Sequence, residues 1–169
     1  MKSNITFWGG VGAVTGSNFL LEVSDVAESA DDAGETKSES AKRIMIDCGM
    51  FQGGGPEAYA KNKESFPYDP TDVDVLLVTH AHIDHIGRIP KLVKDGFSGK
   101  IFSTRQTKEI AAIMFNDAVK IMNDEARKRG ESETLYVQAD AAKALSLWET
   151  KEYRAPFEIF SGMAVEFLD

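Results

Sequence analysis

The chain has 169 residues, 43% of them hydrophobic, and a formal net charge of −8. That length suits one domain with a real core, since domains most often run to about 100–150 residues. No apolar run is long enough to span a membrane, the opening MKSNITFWGG lacks the apolar stretch of a secretory signal, and the acidic balance argues against a broad nucleic-acid surface.

The charge is uneven. Residues 24–41 carry six acids and one lysine, or −5, which leaves −3 for the rest. Cys48 is the only cysteine, so no internal disulfide forms. That fits a reducing compartment and gives the expectation of a cytoplasmic protein.

In chain order, ITF (5–7) and SNFLLEV (17–23) predict strands joined by the glycine-rich GGVGAVTG. Residues 24–42 lack aromatics and hydrophobic period, and are expected to be a mobile acidic loop. RIMID (43–47) predicts the next strand, and PEAYAKNKESF a short helix with Pro56 in its first turn. VDVLLVT (73–79) is a nearly continuous apolar run, the pattern of a strand buried on both faces. GRIPKLVKDG predicts a short helix closing at Gly96, and KIFS (100–103) a strand. The long helix runs from Thr104, its cap, to Gly130, its stop. Its expected core stripe is Ile110, Ile113, Met114, Ala118, Ile121 and Met122. DAAKALSLWETKEY predicts a further helix, and FEIF and MAVEFLD two strands around a Ser-Gly turn.

All three histidines fall in VTHAHIDHIG, as His80, His82 and His85, with Asp84 beside the last. This cluster follows a buried strand and precedes a helix. In open α/β sheets that rim is where ligands bind. Imidazoles and carboxylates are the usual non-thiolate ligands of zinc and similar divalent ions. His80 and His82, two apart in an extended segment, can grip one ion. Asp84 and His85 can serve a second. Capture needs neutral imidazoles, so binding is expected to weaken below about pH 6.

THAHIDHIG resembles the HxHxDH signature of the metallo-β-lactamase superfamily. RIMIDCG is similar to that family's earlier strand ending in an Asp, here Asp47. GGVGAVTGSNFLLE, IDCGMFQGG and FPYDPTDVDVLLVTHAHIDHIGRIPKLVKDGFSGKIFST resemble the β-CASP branch of RNA-processing nucleases. That branch includes proteins like ribonuclease J and the cleavage-and-polyadenylation endonuclease. The resemblance runs from about Ile5 to Asp169.

The resemblance implies an α/β fold: a partial αββα sandwich, a mixed sheet with covering helices, its N-terminal portion only. It assigns His80 and His82 to a first zinc, and Asp84 and His85 to a second. Asp84 also orients the attacking hydroxide as a catalytic group, and Asp47 braces the motif loop from behind. The glycine-rich loop lies under the site in this reading. Cys48, Trp8 and Phe51 are read as packing residues, and the RKRG end of the long helix as a solvated terminus.

The family needs further ligands, and no histidine follows His85. Residues 1–169 are therefore expected to be the N-terminal part of a metallo-β-lactamase domain, without the β-CASP insert and C-terminal part. Two zinc ions belong to the complete parent site, with weak or absent binding here. The expected parent function is a zinc-dependent hydrolase cutting RNA phosphodiester bonds, with RNA as partner and no membrane. The piece alone is expected to be inactive, and to self-associate through an exposed apolar sheet face. The alternatives are hydrolysis of a small thioester or lactam, and a non-catalytic scaffold.

Overall fold

The computed structural model describes residues 2–24, 41–53 and 55–168. The elements in order are β1 (Lys2–Gly9), β2 (Asn18–Ser24), β3 (Lys42–Ile46), α1 (Pro56–Lys63), β4 (Val75–Leu77), α2 (Ile83–Ile86) and α3 (Ile89–Lys94). There follow β5 (Lys100–Ser103), α4 (Arg105–Arg129), α5 (Gln138–Ser146), β6 (Trp148–Thr150), β7 (Phe157–Phe160) and β8 (Met163–Val165). Of the expected acidic loop, residues 25–40 lie outside the described residues.

β1 to β6 form one sheet in sequence order. β1, β2 and β3 pair antiparallel, while β3 to β6 pair parallel. The sheet is mixed, as expected, because hairpins join the first strands and helical crossovers join the rest. β7 and β8 make a separate antiparallel pair.

Strand alternation sorts the side chains onto two faces. Leu20, Met45, Leu76, Ile101 and Trp148 face the helices in one core with Ile86, Leu92, Phe97, Phe115, Ala141 and Ala144. Ile44, Val75 and Phe102 face the other way, against Phe157, Ile159, Phe160, Met163 and Phe167. The second face, expected to be bare, is thus partly roofed by the β7–β8 hairpin. The ring centroids of Phe102 and Phe157 lie 5.2 Å apart. What stays open is its β1 end, where Ile5 is 45% and Phe7 54% exposed. They share that face through the Ile5–Leu21–Ile44 register.

Several expectations need correction. The strand expected over 73–79 pairs in the sheet only over Val75–Leu77, although Val78 N–H still donates to the Phe102 carbonyl at 2.8 Å. The helix expected from Gly87 begins earlier, as a single turn at Ile83, and breaks at Gly87–Arg88 before α3. The helix expected over 140–153 ends at Ser146, and its tail Trp148–Thr150 becomes an edge strand on β5. Pairing with β5 overrides local helical preference there.

The long helix keeps its expected ends. The Thr104 side chain accepts from Thr107 N–H, and Gly130 takes the left-handed cap conformation. Its core face is only partly the expected one: Met114, Ala118 and Met122 pack against the buried clusters, and the three isoleucines do not. Thr107, Ala111, Phe115, Val119 and Ala126 are buried, while Ile110, Ile113 and Ile121 are half or more exposed. The buried face is rich in small residues, and Ala111, Ala141 and Ala144 are fully buried where α4 meets α5. Small side chains let helices approach closely, so the bulkier stripe is turned outward. Phe115→Ala is therefore expected to cost about 3–5 kcal/mol by leaving a cavity. Ile113→Ala is expected to change stability by less than about 0.5 kcal/mol. Urea denaturation of the two variants checks the assignment, and equal costs would reverse it.

Candidate metal centre

The site forms at the C-terminal rim of β3 and β4. After β3 the chain turns sharply at Asp47, whose φ is +59°. Asp is one of the few residues with a side chain that visits this left-handed region readily. The turn lays residues 47–50 along the motif. Asp47 N–H donates to the Leu77 carbonyl, Cys48 N–H to that of His85, and Met50 N–H to that of Ile83, all within 3.0 Å. Ser17 N–H donates to the Asp84 carbonyl at 2.9 Å. Arg88 N–H closes the set by donating to the Cys48 carbonyl at 2.9 Å. Gly49 makes this approach possible: a Cβ there would lie 1.6 Å from the Asp84 carbonyl oxygen.

Asp47 is 1% exposed and gathers donors from three directions. Thr79 N–H reaches Oδ1 at 2.9 Å. The Thr79 hydroxyl reaches Oδ2 at 2.8 Å. His85 Nδ1 lies 2.7 Å from Oδ2, and Ser17 Oγ donates to the same atom at 3.4 Å. A buried carboxylate is tolerable only with such partners.

The three imidazoles are packed together. Ring centroids of His80 and His82 are 4.7 Å apart, and those of His80 and His85 are 3.9 Å apart. His80 Nε2 and His82 Nδ1 are separated by 3.2 Å. A tetrahedral ion with zinc–nitrogen bonds of about 2.0–2.1 Å holds neighbouring donors roughly 3.3–3.4 Å apart. The His80–His82 pair therefore fits one edge of a zinc coordination sphere. Asp84 Oδ2 and His85 Nε2 stand 3.8 Å apart, a wider second bite. Among the described residues no three His, Cys, Asp or Glu side chains converge on one point. The arrangement is two two-donor bites that share a rim.

Electrostatics differ between the rings. Burial, with repulsion from His85 and His82, lowers the pKa of His80 and keeps it neutral. The hydrogen bond to Asp47 raises the pKa of His85.

All five expected site residues, Asp47, His80, His82, Asp84 and His85, lie at this rim. Thr79 and Ser17 were missed. Both hydroxyls bind Asp47, which the chain brings from 30 or more positions away, and that of Thr79 also lies 3.0 Å from His80 Nδ1. The glycine-rich loop meets the motif only at its end, through Ser17, while Val11 and Val14 point into solvent at 65% and 96% exposure. Cys48 is fully buried, and burial pushes its thiol up to about 11. Trp8 packs near Tyr68, and Phe51 lies under Lys61 and Arg88. Arg127, Lys128 and Arg129 pair with Asp124 and Glu125 on the surface of α4.

Residues 39–101 match the family model of the metallo-beta-lactamase superfamily. The chain is 45% identical over 83 residues to ribonuclease TTHA0252 of Thermus thermophilus, covering 49% of this chain and 19% of that protein. It is 31% identical over 118 residues to cleavage and polyadenylation specificity factor subunit 3 of Dictyostelium discoideum, covering 69% of this chain and 15% of that protein. The chain thus spans less than a fifth of the length of either relative. Among solved structures, zinc-bound PqqB from Methylobacterium extorquens aligns with a TM-score of 0.43 at 11% identity, over 90% of this chain and 38% of that one. No described helix is long and apolar enough to cross a membrane. Residues 39–101, with the motif and its strand-end rim, are thus similar to the metallo-β-lactamase superfamily, and the chain is similar to relatives named as a ribonuclease and a polyadenylation factor.

Proposed function

We propose that the rim holds divalent metal, zinc by its donor chemistry, in the service of RNA phosphodiester hydrolysis by the whole protein. The observation that carries this is the 3.2 Å spacing of His80 Nε2 and His82 Nδ1. His80 and His82 would hold one ion, and Asp84 and His85 the other. Bound there, such ions acidify water and polarise a phosphoryl oxygen. The chain's own residues supply the frame. Asp47 holds His85 by Nδ1, so its Nε2 faces the rim. Asp84, on the first turn of α2, presents its carboxylate beside that nitrogen, where it can accept a proton from, and orient, an attacking water. RNA as substrate rests on the names of the relatives, a ribonuclease and a polyadenylation factor. A reducing, cytoplasmic setting suits the single buried Cys48.

Zinc titration by calorimetry tests the reading. The chain is expected to bind zinc weakly, with His82→Ala weakening it at least a further tenfold and leaving the melting curve of the metal-free protein unchanged. No zinc uptake at neutral pH would overturn it. Because only two donors face each ion among the described residues, these residues alone are expected to cleave a labelled RNA no faster than a buffer control. Robust zinc-dependent cleavage would contradict that.

The pH dependence follows from His85. Its raised pKa means that its bond to Asp47 stabilises the fold fully below the usual imidazole value of about 6.5 and loses that contribution as pH climbs through the folded value. Metal capture runs the other way, because the proton must leave. On acidification, zinc affinity is therefore expected to begin falling while the pH is still above about 6.5, earlier than for a free imidazole. A titration between pH 5.5 and 8 reads this, and an onset below pH 6 would contradict it.

A further inference from the structure

We propose that Thr79 is a positioning residue: its hydroxyl, anchored on Asp47, fixes the His80 proton on Nδ1 and so turns the Nε2 lone pair to the metal. The proposal deepens the metal reading above and rests on it for the last step only.

The argument is a count of protons. Thr79 Oγ1 lies 2.8 and 3.0 Å from the two carboxylate oxygens of Asp47, and 3.0 Å from His80 Nδ1. A hydroxyl has one proton to donate and two lone pairs to accept with. The carboxylate is the stronger acceptor, because a bond to a charged oxygen is roughly twice as strong as a neutral one. The Thr79 proton therefore goes to Asp47. The backbone N–H of the same residue also binds Asp47, at 2.9 Å, so Thr79 is held at two points. What Oγ1 then offers His80 is a lone pair. Only a protonated Nδ1 can face it without repulsion. The lone pair of His80 is left on Nε2, the atom 3.2 Å from His82 Nδ1.

One buried carboxylate thus sets two rings: His85 directly, by the 2.7 Å contact, and His80 through the Thr79 hydroxyl. His82 is set differently. It is exposed, and its Nδ1 faces the His80 lone pair. In the metal-free protein His82 must carry its proton on Nδ1 and donate to His80 Nε2. When both nitrogens bind an ion, that proton moves to His82 Nε2. His82 therefore changes tautomer on loading, while His80 and His85 do not.

Long-range proton–nitrogen correlation spectra of the three imidazoles at pH 8 test this, with and without zinc. In the zinc-free wild type, His80 is expected as the Nδ1–H tautomer. Zinc is expected to switch His82 alone. Thr79→Val keeps the shape and the backbone N–H but removes the hydroxyl. It should mix or invert the His80 tautomer in the zinc-free protein and weaken zinc about 10–100-fold, the usual effect of losing an outer partner. Thr79→Ser should restore both. An unchanged His80 tautomer in Thr79→Val, or a serine variant that behaves like valine, overturns the proposal. If Thr79→Val does not fold, Thr79→Ala is read the same way. The tautomer is measured without metal, so a wild type that ignores zinc while Thr79→Val still flips His80 would sink the metal reading and leave the Thr79 relay standing.

Discussion

Asp47→Ala is expected to lower folding stability by about 3–5 kcal/mol, the range for removing one partner of a buried charged network. Asp47 is 1% exposed and accepts from Thr79 N–H, the Thr79 hydroxyl, His85 Nδ1 and Ser17 Oγ. Alanine leaves those donors facing a void. It also sits poorly at φ +59°, a conformation that costs an ordinary residue about 1–2 kcal/mol. Asp47→Asn separates the two roles. Asparagine tolerates the left-handed backbone and can still accept from Thr79. Its amide would donate to His85 Nδ1, however, and drive that ring's proton to Nε2. The asparagine variant is thus expected to fold with a loss of about 1–2 kcal/mol and to bind zinc about 10–100-fold more weakly. Urea denaturation and chelator competition read the two effects. Equal stability losses in both variants, with zinc affinity intact, would remove Asp47 from the site's support.

Gly49→Ala is expected to be the most damaging single methyl addition at the rim. The new Cβ would stand 1.6 Å from the Asp84 carbonyl oxygen, 2.0 Å from its carbon and 2.6 Å from His85 nitrogen. These are backbone atoms, and no rotamer change relieves them. The turn of α2 must move off the 47–50 segment, breaking the Cys48–His85 and Met50–Ile83 backbone bonds. A cost of about 3 kcal/mol or more follows, together with loss of zinc binding in whatever fraction still folds. Gly99→Ala is the matched comparison. Its Cβ would meet the Asp74 carbonyl oxygen at 2.1 Å, but at the other end of β4 and β5. It should destabilise the fold while leaving zinc affinity of the folded protein unchanged. If Gly99→Ala weakened zinc as much as Gly49→Ala, the metal effect would be general unfolding and not displacement of the motif.

The candidate site stands out in the sequence because it is local. Four of its five expected residues lie within His80–His85, and a strand followed by a helix sets the rim on which they stand. Asp47 was legible through the resemblance of RIMIDCG to the family's strand that ends in an Asp, though its positive φ was not. Thr79 was hidden because nothing in its neighbours reveals a carboxylate arriving from another strand. The face of α4 is only half legible for a related reason: Met114, Ala118 and Met122 pack on the core as the stripe predicts, and the isoleucines do not. Two apolar stripes compete along that helix, and the bulkier isoleucines advertise burial more loudly than Ala111 or Thr107. The close α4–α5 approach, which decides the matter, belongs to the tertiary structure. The same holds for Trp148–Thr150, which becomes a strand only because the edge of β5 is there to pair with. The roofing of Ile44, Val75 and Phe102 by Phe157 and Phe160 likewise depends on where the last hairpin folds back.

X-ray absorption at the zinc edge, on the chain loaded with one equivalent of zinc, probes the centre most directly. A first shell of nitrogen and oxygen at about 2.0–2.1 Å, with the multiple-scattering signature of imidazole, is the predicted spectrum. It should lose one imidazole in His82→Ala. A sulfur shell at about 2.3 Å, pointing to Cys48, or a spectrum without imidazole, would contradict the assignment of the rim as a histidine–carboxylate metal centre.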